Sequence, residues 1–407
     1  MMPGMLSLMA ALLITVLSDG DEPPPSAGDW LDEARGVAAE LSARFPRSAE
    51  VLVAIAGVEQ RSGSLLAALD RFQEALRLDP KLTEARESLG DILSALGKLS
   101  EAAEEYRAAL LAGGDRLDRA RWARKRGHAL LVSGRLAEAE AALREAAAAD
   151  PQDAATRSDL ARALIALGRP REALGALDEA QRFGERDPSI EYSRAQVHFS
   201  LGDAAAGQEA LARYRAARER PIDGKEFRAR RDRDREGLDR RSAALAHLDA
   251  ARIYRRSGSR DDARRHLEAA LRWDRGFSTA RYLLAQLAAE MGDLDRATAE
   301  YETLITAAAD PGALKKAAAA LYERRVRALL GEPAAARGRV PEILGWARRA
   351  VELDPSGSAH EAAAWASLAA GDRSSALTHL REAVRLDPSN VETLRRLRTI
   401  EKAREER

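Results

Sequence analysis

A period of 34 residues runs through this chain and constrains its fold more tightly than any other feature. Turn glycines stand at 63, 97, 134, 168, 202, 258, 292 and 371, and the steps 63 to 97, 134 to 168, 168 to 202 and 258 to 292 are each 34 residues. Seven residues before each glycine comes a small residue: Ala56, Gly90, Gly127, Ala161, Ala195, Ala251, Ala285 and Ala364. Five after comes Ala68, Ala102, Ala139, Ala173, Gly207, Ala263, Ala297 and Ala376. Nine after comes a large apolar residue: Phe72, Tyr106, Leu143, Leu177, Leu211, Leu267, Tyr301 and Leu380. Asp-Pro pairs at 79, 150, 187, 310, 354 and 387 follow helical apolar patterns such as Phe72, Ala75 and Leu76. Pro has no backbone donor and pushes the residue before it out of the helical region, so each pair ends a helix. A long period with helical spacing inside it describes a stack of two-helix units, none able to bury its apolar face alone.

Composition supports helices. Ala, Leu, Arg and Glu dominate while aromatics make up 4%, and such side chains lose little freedom in a helix. Each helix has about a dozen residues, a length that is marginal in isolation. The spacings resemble the tetratricopeptide repeat family. Residues 88–97, which read SLGDILSALG, with Ala102, Tyr106 and Ala109, match its pattern closely. The resemblance covers about residues 30–390 with two irregular stretches. It implies an all-α fold, a right-handed superhelical α-solenoid of about nine helix-turn-helix repeats, with a concave groove lined by the first helix of each repeat.

The expected organisation starts with a possible signal peptide, 1–18. Met5 to Leu17 is a thirteen-residue, nearly all apolar run, shorter than the roughly 20 residues a membrane helix needs and suited to the core of a secretory signal. Val16 and Ser18 suit a cut before Asp19, but no Lys or Arg precedes the run; a disordered or misassigned start is the alternative. A signal would place the protein in the periplasm or outside the cell; without one it is cytoplasmic. The absence of Cys removes disulfides, thiolate metal sites, thiol nucleophiles and a lipid anchor. A linker is expected over 19–29, an N-terminal array over 30–220, a charged insert or hinge over 221–243, a C-terminal array over 244–390 and a capping helix over 391–407. Trp30 and Leu31 are placed to cover the end of the first array. The run 213–241 holds twelve basic and seven acidic residues. It reads as a solvated helix held by i,i+4 pairs rather than a nucleic-acid contact, because interleaved acids dilute any field acting on phosphate.

No phosphate loop, dinucleotide-binding turn or nucleophile elbow is present. The six histidines, at 128, 198, 247, 266, 360 and 379, are never three or four apart. No catalytic residue, cofactor or metal site is therefore expected. Lys plus Arg and Asp plus Glu both number 65, so no net field draws in nucleic acid or a membrane surface, and no later segment suits a membrane span. The family resemblance places groove-lining residues about 13, 10, 6 and 3 before each turn glycine. These make the N-terminal end acidic, through Glu50, Glu84, Glu87 and Asp91. The middle becomes basic and aromatic, through Arg121, Arg124, His128, Arg162, Tyr192, Gln196, Arg252, Tyr282 and Gln286. An extended peptide or helix with acidic and apolar residues is expected across Arg124, His128, Arg162, Tyr192 and Gln196, since Arg grips carboxylates with two hydrogen bonds and Tyr adds amphipathic contact area. The family's clamp for acidic chaperone tails relies on Asn and Lys; the lone Asn390 lies in the terminal cap, so that clamp is not expected. The function that emerges is a non-enzymatic scaffold for protein or peptide partners. The alternatives are a self-associating array or an accessory subunit of a separate enzyme. The register also makes Ala102→Leu costly by about 1–3 kcal/mol through overpacking; unchanged melting of that variant would contradict it.

Overall fold

The computed structural model describes residues 25–184, 187–218, 224–336 and 338–405. The expected signal segment, 1–18, and the linker up to residue 24 lie outside these residues. The chain divides into two units, one spanning Ser26–Ala250 and the other running from Ala251 onward. The first opens with α1 (Trp30–Arg44). Five antiparallel pairs follow: α2 (Ala49–Arg61) with α3 (Leu65–Leu78), α4 (Thr83–Ala95) with α5 (Leu99–Ala112), α6 (Arg116–Val132) with α7 (Leu136–Ala149), α8 (Ala154–Ala166) with α9 (Pro170–Arg182), and α10 (Ser189–Ser200) with α11 (Ala204–Arg218). The long helix α12 (Gly224–Arg256) carries the chain into the second unit. There its end pairs with α13 (Arg260–Trp273), and α14 (Ser278–Met291) pairs with α15 (Leu294–Ala307). Next, α16 (Gly312–Leu330) pairs with α18 (Val340–Leu353) around the single turn α17 (Pro333–Ala336), and α19 (Gly357–Ala369) pairs with α20 (Arg373–Leu386). The last helix is α21 (Val391–Glu405). Nine helix pairs, with no strand among the described residues, make the expected all-α solenoid.

Both kinds of helix stop have a visible cause. Gly97 adopts φ 77°, and the other seven turn glycines of the same phase lie between 72° and 85°, a region where a Cβ is costly. There the Gly97 N–H reaches the Ser94 carbonyl at 3.0 Å and the Lys98 N–H reaches the Leu93 carbonyl at 2.8 Å, so a left-handed residue satisfies carbonyls that the helix end leaves open. At the Asp-Pro stops the aspartate also contributes. Asp79 closes the last turn of α3 with its N–H on the Ala75 carbonyl at 2.8 Å. Its carboxylate then accepts the Lys81 N–H at 2.9 Å, and Asp150, Asp187 and Asp387 repeat that side-chain turn. Asp serves here because its short carboxylate can imitate a backbone turn.

The repeat phases become the core. The small residues five after each turn glycine are buried, and Ala56, Ala161, Ala285 and Ala364 are fully buried at the position seven before. Phe72, Tyr106, Leu143, Leu177, Leu267, Tyr301 and Leu380 are buried nine after the turn. These two positions touch. A Cβ on Gly90 would lie 2.6 Å from the Tyr106 ring, and one on Gly127 would lie 2.6 Å from Leu143. The fading fifth repeat departs from this pattern: Leu211 is only partly buried, and Phe199 packs over Gly207 instead.

The ends and the charged stretch have their own solutions. Trp30 and Leu31 pack against a cluster of Ala34, Val58 and Ala246, the last from α12. Beside it, His247 Nε2 lies 2.8 Å from Glu33 Oε1, across 214 residues of sequence. Residues 231–238 are exposed around the whole circumference of α12, and Arg240 pairs with Glu236 one turn away at 2.8 Å. From Gly224 on, the charged stretch is thus helix, continuous with the first helix of the following repeat. Among the described residues, no helix is long and apolar enough to cross a membrane.

One substitution should act with opposite sign at two glycines. Gly90→Ala drives a methyl group into the Tyr106 ring, whose hydroxyl is tied to Asp91 at 2.7 Å, and should cost about 1–3 kcal/mol. Gly175 is exposed in the middle of α9, and a Cβ there would meet nothing within 4 Å. Gly175→Ala should therefore stabilise by about 0.5–1 kcal/mol. Urea denaturation of both variants checks the pair.

Candidate functional site

The first helices of the third, fourth and fifth repeats enclose a concavity of about 840 Å³. From α6 it takes Arg124, His128, Leu131 and Val132; from α8, Ser158, Asp159, Arg162 and Ile165; from α10, Ser189, Tyr192, Ser193 and Gln196. Five of the residues singled out from the sequence thus line one surface. Helix periodicity explains the arrangement: residues three or four apart share a face, and the second helices of these repeats hold that face outward.

The surface has an apolar floor and a polar network. Leu131 and Ile165 are partly covered, whereas Val132 and Tyr192 are exposed. Tyr192 leaves 45% of its surface open, with its ring 5.4 Å from that of Tyr214. Asp159, nearly buried, is the anchor of the polar part. It faces His128 Nδ1 at 3.2 Å and accepts from Arg162 Nη1 at 3.1 Å. Arg124 reaches Asp153 at 3.4 Å. The two arginines are therefore oriented by internal carboxylates, and Asp187 adds another carboxylate to the rim. The expected basic character is correspondingly reduced: two guanidinium groups share the cavity with two carboxylates. What the site can do chemically is hold a chain that supplies both an apolar side chain and a hydrogen-bonding or anionic group.

Arg121 does not line this cavity. It grips Glu87 through Nε at 2.8 Å and Nη2 at 2.9 Å. Glu87 also accepts the Trp122 indole N–H at 2.8 Å and Lys125 Nζ at 2.7 Å. Lys125 bridges onward to Asp91 at 2.8 Å, and Asp91 accepts the Tyr106 hydroxyl. The acidic end expected from Glu87 and Asp91 is therefore neutralised by cations of the next repeat. Trp122 and Lys125 were absent from the sequence-based set. Glu87 and Arg121 are 34 residues apart, as are Asp91 and Lys125, but the step from Gly97 to Gly134 is 37 residues, so Lys125 and Trp122 fall outside the lining phases and the repeat gives no signal for them. In the second unit, Gln286 accepts from Arg255 at 3.3 Å, and Tyr282 stands edge-on to Tyr301 with ring centres 6.1 Å apart. Tyr282 and Gln286, with Arg252 on α12, belong to the second unit and are not among the residues that line the cavity above.

The Glu87 network makes a pH prediction. Burial alone would raise this carboxyl, but hydrogen bonds from Arg121, Lys125 and Trp122 outweigh it and hold the carboxyl at about 2 instead of 4.5. A depressed carboxyl contributes stability that is present above the unfolded value and lost as pH falls through the folded one. With Arg121 partly exposed, the contribution is about 1–2 kcal/mol. Glu87→Gln should be less stable than wild type by that amount near neutrality. The gap should shrink as pH falls from 4.5 towards 2, as followed by urea melts across that range.

A tetratricopeptide repeat family model matches residues 130–197 and 254–321, and a second tetratricopeptide repeat model matches 87–154. No curated protein matches the chain. Among solved structures, YrrB, described as a TPR protein with an unusual peptide-binding site, is 18% identical; the match covers 44% of this chain and 90% of YrrB, with a TM-score of 0.40. PilW, described as a type IV pilus biogenesis factor, is 19% identical over 55% of this chain and 99% of its own, with a TM-score of 0.42. A tetratricopeptide repeat protein from Parabacteroides merdae is 16% identical over 64% of this chain and 92% of its own, with a TM-score of 0.41. Both family models fall on helix pairs whose turns and small residues keep the repeat phase, so the chain carries tetratricopeptide repeats over residues 87–197 and 254–321.

Proposed function

We propose that this protein is a non-enzymatic scaffold that holds a peptide or helix of a partner protein across α6, α8 and α10. The observation that carries this reading is the exposed Tyr192 beside Arg162 and Gln196, over an apolar floor, in a cavity of about 840 Å³. A large aromatic ring left in water next to oriented guanidinium groups is the composition of a contact hot spot. Asp159 holds His128 and Arg162 in place, so little side-chain entropy is lost when a partner arrives. An acidic or amide group of the partner meets Arg124, Arg162 and Gln196. An apolar side chain lies over Val132, Ile165 and Tyr192.

Affinity capture with the intact chain, and with a variant carrying Arg124→Ala, Arg162→Ala and Tyr192→Ala, tests the reading. A partner held by the first should be lost by the second, since removing hot-spot side chains costs about 2 kcal/mol or more each. Equal capture by both would move the working surface elsewhere. Recovery of the protein alone, with a particle size that changes with concentration and salt, would favour self-association instead.

A further inference from the structure

The sequence scatters six histidines, and the fold brings two of them together. His360 on α19 and His379 on α20 face each other across the last helix pair, 19 residues apart in the chain. Their Nδ1 atoms are 3.0 Å apart and their ring planes are inclined by 39°. Both rings are partly buried. Burial pushes both below the ordinary histidine range; at His360 the neighbouring His379 and Arg385 add to this and Glu382 opposes it. The pair is therefore uncharged near neutrality, with one Nδ1–H donating to the lone pair of the other. Among the described residues, neither imidazole has another side-chain hydrogen bond. A histidine with a purely structural role in a helix pair usually donates to a carboxylate or a carbonyl, and these two have only each other.

We propose that His360 and His379 form a two-imidazole site for a divalent transition-metal ion of the Cu²⁺, Ni²⁺ or Zn²⁺ class, joining α19 to α20. The geometry carries the assignment. With a metal–nitrogen distance of about 2.0–2.1 Å, a nitrogen separation of 3.0 Å subtends about 95° at the metal. That is the angle of neighbouring positions in a square or octahedral complex, as Cu²⁺ and Ni²⁺ prefer. Tetrahedral Zn²⁺ needs about 3.3 Å between the nitrogens, a few tenths of an ångström more. Binding requires the donor ring to move its proton from Nδ1 to Nε2, which leaves both Nδ1 lone pairs free and releases no proton. Each ring then turns about its Cβ–Cγ bond so that the lone pairs meet at the metal.

The surroundings allow a cation. Arg385 is paired to Glu382, with Nε 2.9 Å from Oε2, so its charge is met locally. No group of three or more His, Cys, Asp or Glu among the described residues is arranged to hold a metal. The two imidazoles are thus the whole protein contribution, and water or a carboxylate or imidazole of a partner completes the coordination. Because the ligands come from both helices of one repeat, the ion stiffens the end of the array.

The test uses the full-length, untagged chain, metal-stripped and then titrated with nickel chloride or zinc chloride. One equivalent should bind, and the melting temperature should rise with metal concentration, as binding to the folded state requires. In ¹⁵N-histidine spectra the Nδ1 signals of His360 and His379 should shift or broaden, while those of the other four histidines stay in place. His360→Gln and His379→Gln should each lose about tenfold or more in affinity, and His198→Gln should bind as wild type. Shifts at other histidines, wild-type affinity in both glutamine variants, or no saturable uptake would overturn the site. The nitrogen spectra are read on the unaltered chain, so a variant that failed to fold would leave the test intact.

Discussion

In the second and third repeats the first helix presents a glycine to a large side chain on the second. Gly90 lies under Tyr106 and Gly127 under Leu143 with no room for a Cβ, and alanines hold the same place in other repeats. That contact sets how closely the paired helices approach. The small residues five after each turn glycine are buried as well. Helices of about 13 residues, marginal alone, then share continuous clusters such as the one running from Ala56 to Ala142. The turn glycines and the Asp-Pro stops serve that contact. They return the chain at the distance it demands and leave few helix-end carbonyls unsatisfied.

The same repetition shapes the electrostatics. The first helices of successive repeats lie side by side, so charges 34 residues apart in sequence can meet in space. Glu87 with Arg121 and Asp91 with Lys125 are the clearest cases. A face that reads as acidic in one repeat and basic in the next is in fact a set of ion pairs between repeats. Further along, His128 and Arg162 both turn to Asp159, and there the pairing leaves aromatic and amide groups open beside it. The difference between a surface consumed by the fold and one left for a partner lies in this pairing, which composition does not reveal.

Legibility followed the same line. Arg124, His128, Arg162, Tyr192 and Gln196 were readable as one surface because helical phase and repeat phase together determine which side of a first helix they occupy. Arg121 shares that phase and was read into the groove, yet a carboxylate one period earlier captures it. Arg252, Tyr282 and Gln286 share the phase as well and lie in another unit, since phase carries no information about which stretch of the array forms a cavity. Lys125 and Trp122 fall between the lining phases, and only the bonds they make to Glu87 bring them into view. His360 and His379 have no phase relation at all. Their encounter depends on how α20 lies against α19.

By itself the sequence determined what is local and periodic: helix starts and stops, the positions that must be small, the all-α class and the number of repeats. Those features follow from backbone sterics and from the spacing of apolar residues, and both are properties of short stretches of chain. Tertiary structure alone decided which charges neutralise one another, which aromatic ring stays in water, that Ala246 and His247 close on α1 across the length of the first unit, and that two distant imidazoles meet. These depend on side-chain positions to within about an ångström, because hydrogen bonds and ion pairs weaken steeply beyond their contact distances. A repeat pattern specifies helix positions, and it is the stacked helices that specify the contacts.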